Sequence, residues 1–276
     1  ELAGEGTDSI VIYDTTDFSN LNNQSFNLIE QIRFSGATKD ATFKGVQLHN
    51  QDIDIAESVS GVSEIIINVQ SSSVTSFENL GLVSGGGFSS GSDKLIINGN
   101  FESNNITGSN TISSTISGFG GNDLIIGKDQ VETISGGTGS DTMTGNGGSD
   151  IFEFMQGESG ISTSSADIIT DFTSGQDKIK AGVAGSTASE FSVVAGSSGD
   201  TFITALTAAN NAFTSSNTQS YFMTSYGTTG NNTVQGALFL NLDNNTSAEG
   251  VILLGLGNGS SMTTEAARCI ATDIIA

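Results

Sequence analysis

The chain has 276 residues, a net charge of −22, 36 glycines, one cysteine, and neither proline nor tryptophan. Average usage would put roughly 5% proline in such a chain, so its absence suits long, continuous strand ladders, which proline interrupts. Eight basic residues against thirty acidic ones argue against nucleic acid and anionic membranes as partners, because both call for lysine and arginine.

The length allows one or two domains with a real core. Hydrophobic residues make up only 36%, yet they recur in short aliphatic clusters, which argues against wholesale disorder. Thirty carboxylates repel one another unless cations lie among them, and calcium is the natural first expectation. A single cysteine, Cys269, forms no internal disulfide. The longest apolar run, Val251 to Leu254, is far short of a membrane span. Glu1 falls inside what reads as a repeat, and no leader is visible, so the chain reads as the C-terminal part of a longer protein.

The first element is Ala3 to Val11 (AGEGTDSIV), which sets Gly6, Asp8 and Ile10 in columns that recur later. Next, IEQIRFSG from Ile29, SEIIINVQ from Ser63 and DKLIINGN from Asp93 read as parallel strands about thirty residues apart. Phe88 to Ile96 repeats the columns with Gly91, Asp93 and Leu95. Asn105 to Ser113 does so with Gly108, Asn110 and Ile112, an amide replacing the acid. Residues 1–117 therefore read as an irregular β-solenoid with degenerate repeats.

From Gly118 the pattern becomes regular. Four nonapeptides follow without a gap, GFGGNDLII, GKDQVETIS, GGTGSDTMT and GNGGSDIFE, ending at Glu153. Position one is Gly118, Gly127, Gly136 and Gly145. Position six is Asp123, Glu132, Asp141 and Asp150, and position eight is Ile125, Ile134, Met143 and Phe152. Six glycine-rich residues predict a turn, and three more a short strand with its middle side chain inward. Two nonapeptides then make one coil, placing Asp123 one coil from Asp141 and Glu132 one coil from Asp150.

Stacked glycine turns offer carbonyl oxygens, and position six offers carboxylates, the ligand types calcium takes. The turns Gly118–Asp123 and Gly136–Asp141 would form one site, and Gly127–Glu132 with Gly145–Asp150 a second. The plainer alternative is that the acids only solvate the turn edges. Lys128 and Gln130 interrupt the glycine columns of the second site.

Beyond the repeats, ADIITDFTSGQDKIKA (Ala166 to Ala181) reads as strand, turn and strand, and Ile203 to Phe213 as a short amphipathic helix. Gly236 to Leu242 and Gly250 to Leu256 read as a hairpin, and Thr263 to Ile274 as a closing helix carrying Cys269. Residues 154–276 would cap the last coil, which otherwise ends in an open strand edge.

The run from Gly118 to Glu153 resembles the glycine- and aspartate-rich nonapeptide repeats of RTX proteins, a β-roll family secreted by Gram-negative bacteria. ADIITDFTSGQDKIKA is similar to the segment after the roll in serralysin-type metalloproteases, and Asp273 to Ala276 to the end of type I secretion signals. The likeness is strong over 118–180 and only architectural before 117. It implies an all-β fold, a right-handed parallel β-roll or β-solenoid with a mixed β-rich C-terminal cap and secretion-signal region. It also implies ligand sets. Gly118, Gly120 and Asp123 act with Gly137, Gly139 and Asp141, and Gly127, Asp129 and Glu132 with Asn146, Gly148 and Asp150. Which turn donates which carbonyl stays open. Asp171 and Asp177 are candidates for an additional ion, with solvation or capping as the alternative.

The family further implies a chain that stays expanded where calcium is scarce and folds outside the cell on binding it. It does not import protease activity, since the one histidine, His49, lies in no HExxH motif. No nucleophile motif surrounds His49 or Cys269, so a non-enzymatic protein is expected. Three functions remain. The first is a structural surface protein, an S-layer or fibre subunit that self-associates through calcium, with cell-surface polysaccharide as an anchoring partner. The second is the secretion and folding module of a large adhesin, and the third the appendage of a secreted enzyme. The hundred or so irregular residues before Gly118 favour the first.

Overall fold

The computed structural model describes residues 8–22, 29–35, 39–57, 62–70, 74–82, 93–181, 191–193, 200–215, 221–226, 234–241, 247–257 and 271–275. The chain is mostly β, and its sheets are largely parallel. In chain order the first strands are β1 (Ser9–Ile12), β2 (Thr16–Asp17), β3 (Gln31–Phe34) and β4 (Asp40–Lys44). A four-residue helix, α1 (Gly45–Leu48), precedes β5 (Ile53–Glu57), β6 (Glu64–Asn68), β7 (Val74–Ser76) and β8 (Leu80–Leu82). The next are β9 (Lys94–Asn100), β10 (Asn105–Thr107), β11 (Ser114–Phe119), β12 (Leu124–Ile126), β13 (Thr133–Ser135) and β14 (Thr142–Thr144). They continue with β15 (Ile151–Phe154), β16 (Asp167–Ile169), β17 (Lys178–Ala181) and β18 (Phe191–Val193). Last come α2 (Phe202–Ser215), β19 (Tyr221–Tyr226), β20 (Val234–Leu240), β21 (Gly250–Gly257) and β22 (Ile274–Ile275).

Up to β17, successive strands fall in different sheets. One sheet runs β2-β4-β6-β9-β11-β13-β15-β17-β22, a second β18-β19-β20-β21-β16-β14-β12-β10-β7, and a third β1-β3-β5-β8. Between β6 and β9 the chain visits all three, so one passage there is long: Glu64 pairs with Lys94. From β9 to β17 it alternates between two sheets only, and the repeat shortens until Thr115 pairs with Thr133 and Thr133 with Ile151. SEIIINVQ and DKLIINGN therefore pair as parallel neighbours, whereas IEQIRFSG supplies β3 to the third sheet.

Position eight makes the core. Ile106, Ile125, Met143 and Ile169 stack in register on one sheet. Ile97, Ile116, Ile134, Phe152 and Ile179 stack on the other, and all nine are fully buried. Flanking residues of each three-residue strand stay half-exposed, as in Leu124–Ile126 and Thr142–Thr144, because side chains alternate across a strand. Each buried aliphatic contributes on the order of 1.5–3 kcal/mol.

The degenerate copy before the regular run lies in a different register from the expected one. Ile106, not Ile112, stacks on Ile125, which places Asn104 in the position-six column. Asn110 is exposed, and Ser114 holds the column ahead of Glu132. The nonapeptide is thus GNFESNNIT, beginning at Gly99.

The tail closes the open edges. Strands β19, β20 and β21 form the expected antiparallel hairpin and one more strand, and β21 pairs in parallel with β16. Helix α2, longer than the predicted Ile203 to Phe213, packs Ala205, Ala209 and Phe213 on Phe239 and Leu253. The predicted closing helix is not seen at its end: Ala271–Asp273 is a 3-10 turn, and Ile274 pairs with Ile179. The rest of that segment, with Cys269, lies outside the described residues.

Candidate metal centre

Position-six residues are linked by a ladder along each turn edge. On the first edge, the Asn104 amide donates to Asp123 Oδ1 (2.7 Å), Asp123 to Asp141 Oδ1 (2.7 Å), and Asp141 to Asp167 Oδ1 (2.8 Å). On the second, Glu132 donates to Asp150 Oδ1 (2.9 Å) and Asp150 to Asp177 Oδ1 (3.1 Å). One carboxylate oxygen per rung is spent in this way.

The other oxygen is left over. Asp123 Oδ2, Glu132 Oε1, Asp141 Oδ2, Asp150 Oδ2 and Asp167 Oδ2 are all buried with no hydrogen-bond partner. The side chains themselves are 0–3% exposed. An ionised carboxylate in such a place is unstable unless a cation or a proton meets it. Burial accordingly pushes the carboxyls up, Asp123 to about 6, Asp141 and Asp150 to about 7, and Glu132 and Asp167 to about 8. Neighbouring acids raise four of them further: Asp123 beside Asp141, Asp177 beside Asp150, Asp150 beside Glu132, and Asp141 beside Asp167.

Position-one glycines lie against the position-six side chains, and at Gly118, Gly136 and Gly145 the oxygen met is the unpartnered Oδ2. A β-carbon at Gly118 would meet Asp123 Oδ2 and the Gly136 carbonyl oxygen of the next coil. One at Gly127 would meet Glu132 Oε2 and the Gly145 carbonyl, and one at Gly99 would meet Asn104 Oδ1 and the Gly118 carbonyl. Carbonyl and side-chain oxygen therefore converge between coils where glycine leaves the space. Gly137 and Gly139 hold positive φ, 89° and 148°, and press on the Phe119 and Gly121 carbonyls of the turn before. The first expected set, Gly118, Gly120, Asp123, Gly137, Gly139 and Asp141, is brought together by these two stacked turns, with Gly120 bridged to Thr138.

The second set meets differently. Gly148 lies against the Gln130 carbonyl and Gly147 against Asp129, whose own side chain is exposed. Asn146 donates its side-chain amide to the Gly127 carbonyl (3.0 Å), one of the oxygens expected to face an ion. Lys128 sends its ammonium to Glu78 (3.0 Å) and its amide to Glu132 Oε2 (3.0 Å). Asp171 accepts the amides of Gly145 and Asn146, and Asp177 those of Asp150 and Thr173, so both acids have both oxygens bonded. His49 accepts the Ser76 amide at Nδ1 (2.9 Å).

Sequence reasoning missed Asn104 and Asp167 as rungs. The signal was present, because each precedes by two residues an aliphatic of the position-eight stack, Ile106 and Ile169. Spacings of 19 and 26 residues in place of 18 hid it.

Among the described residues, no three His, Cys, Asp or Glu side chains form a metal-ligand group by themselves. An ion held here would draw on backbone carbonyls as well as carboxylates. The donors are all oxygen, which suits a hard cation that accepts irregular, many-oxygen surroundings, and calcium fits that description. No protein-family model matches the chain, and no curated protein sequence matches it.

Proposed function

We propose that this chain is a calcium-binding structural protein of a bacterial surface, an S-layer or extracellular fibre subunit. In this reading it is a right-handed parallel β-roll, irregular at first and regular over 118–153, with a β-rich cap. The observation that carries it is the row of buried, unpartnered carboxylate oxygens, of which those of Asp123, Asp141 and Asp150 lie against the position-one glycines. Calcium there supplies the positive charge that the row lacks. The chain's own residues contribute the fixed Oδ1 ladder, the carbonyls and the space.

Folding and ion binding are then coupled, because the gaps exist only when the turns are stacked. At low calcium the acids repel and the chain stays open for export by a type I system. Outside the cell, millimolar calcium draws it into the folded form by mass action. The outward rows Thr115/Ser117, Thr133/Ser135 and Thr142/Thr144 are uncharged and offer hydroxyl-bearing strand faces for lateral packing between copies. No residue in this reading performs catalysis.

Sedimentation of the purified chain with calcium and with a chelator tests it. Compact monomers that grow into large ordered assemblies with calcium support the surface-subunit reading. Calcium-dependent folding that stops at a monomer favours the folding module of an adhesin or secreted enzyme. No response to calcium would remove the ion-binding reading itself.

A further inference from the structure

The strands of the sheet from β2 to β22 carry four acids, Asp17, Asp40, Glu64 and Glu153, and four lysines, Lys44, Lys94, Lys178 and Lys180. They sum to zero in a chain whose net charge is −22. Two copies repel one another over most of their surface, and this sheet is a face where they do not.

Side chains alternate across each strand, so those pointing away from the core fall in rows. One outward row reads Ile96, Thr115, Thr133 and Ile151 on β9, β11, β13 and β15, in register and half-buried or exposed. It is the same read from either end. Its midline lies between β11 and β13, which hold no charged residue. The flanks carry charge in opposite order. Going outward, one side has Lys94 on β9 and then Glu64 on β6, and the other has Glu153 on β15 and then Lys178 and Lys180 on β17. Each flank is internally paired, Lys94 with Glu64 (3.4 Å) and Lys180 with Glu153 (2.9 Å).

A two-fold axis along the strands at that midline turns one flank onto the other. Ile96 then meets Ile151 of the second copy, and Thr115 meets its Thr133. The strand of Lys94 lies over that of Glu153, and the strand of Glu64 over that of Lys178 and Lys180, so no strand faces one of its own sign. The other nine-stranded sheet also has an uncharged outward row, Asn105, Leu124, Thr142 and Ile168. That row lacks the symmetry, and Ile168 is already packed against the cluster under α2.

We propose that the face centred between β11 and β13 is a self-association surface, and that its occupant is the same face of a second copy. This deepens the surface-subunit reading, on which it rests, by naming the face through which copies meet. Six strands about 4.8 Å apart make a narrow contact, so each pairing is weak and a lattice multiplies it.

Sedimentation velocity of the full chain in calcium, over rising concentration, tests this. Ile96→Glu and Ile151→Lys are each expected to weaken self-association about tenfold. Combined in one chain, or mixed as two single variants, they are expected to restore it, because opposite charges then meet across the axis. Within one copy the two positions lie three strands apart, about 14 Å, so the rescue reports a contact between copies. Thr133→Lys, beside the axis, is expected to weaken association alike and decides the matter should an isoleucine variant fail to fold. Variants that associate as the parent does, or a pair no better than its singles, overturn this face and leave the surface-subunit reading standing. A folded wild-type chain that stays monomeric at every concentration overturns both.

Discussion

The backbone amide of Asp123 donates to Asp141 Oδ1 at 2.7 Å, and the second oxygen of Asp141 is buried without a partner. The same half-satisfied state recurs at Asp123, Glu132, Asp150 and Asp167. Either a proton or a cation can complete it, and the two compete.

That competition fixes a pH dependence. The folded values of about 6 to 8 lie above the ordinary 3.8 for Asp and 4.5 for Glu. Such groups bind protons more tightly when folded, so their stabilisation is complete below about pH 4 and is lost as pH rises through 6 to 8. In chelator, the melting temperature is expected to fall by roughly 5–10 °C between pH 5.5 and 8.5. Calcium should restore it at pH 8, and calcium affinity should weaken as pH drops towards 6. Scanning calorimetry at several pH values checks both. A chelated protein that becomes more stable with rising pH would contradict the assignment, and Asp141→Asn should flatten the slope.

Gly118 is where a single methyl does most harm to the first site. Its β-carbon would strike Asp123 Oδ2 and the Gly136 carbonyl, the oxygens that converge between coils. Gly118→Ala is expected to remove one calcium and to cost about 1–3 kcal/mol through overpacking. Gly147 is the comparison, because its nearest neighbour is Asp129 Oδ1 at 3.3 Å, on an exposed side chain. Gly147→Ala should keep every ion and melt within about 2 °C of the parent, as mild surface changes do. Equal ion counts in the two variants would argue against a gap at Gly118.

Where the repeat holds strictly at eighteen residues, sequence alone places Asp123 over Asp141, Glu132 over Asp150, and the inward stack of Ile125, Ile134, Met143 and Phe152. It fails where coil length changes. Asp167 is displaced by the inserted loop, and Asn104 by one extra residue after it. Each rung is fixed by a backbone amide, which leaves no trace in residue type. The aliphatic strand at Gln31–Phe34 has the same alternation as the one at Glu64–Asn68, so pattern does not tell that the long coils use a third sheet. Asp171 and Asp177 look alike in sequence. Only their bonded oxygens show that each is occupied by amides of neighbouring turns.

Asn146 makes the two edges unequal. It holds φ of 67°, a conformation that favours glycine, and its amide fills the Gly127 carbonyl. Asn146→Gly relieves the backbone by about 1 kcal/mol and frees that oxygen. The weaker class of calcium sites should tighten roughly tenfold, about 1.4 kcal/mol, with the first edge unchanged. Calorimetric titration separates the classes, and an unaltered weaker class would show that Gly127 does not face the ion.

Asp273 anchors the last strand against the edge of β17. Its side chain is 0% exposed and accepts from Ser174 Oγ (2.7 Å), the Gly175 amide (2.9 Å) and Lys178 Nζ (3.3 Å). Removing it leaves the Gly175 amide and the Ser174 hydroxyl without this acceptor, while Lys178 Nζ keeps the Thr272 carbonyl (3.0 Å), so Asp273→Ala is expected to cost about 2–4 kcal/mol. The pairing of Ile274 with Ile179 should loosen with it and open a parallel strand edge, which invites association between chains. Lys178→Ala is the milder change. Its side chain is 29% exposed, Ser174 and Gly175 still bond Asp273, and the cost should stay near 1 kcal/mol, as for a partly exposed ion pair. Melting curves with light scattering in calcium compare the two. Asp273→Ala aggregating at a lower temperature than Lys178→Ala is the expected order, and the reverse order would show that the ammonium, not the buried carboxylate, holds the cap.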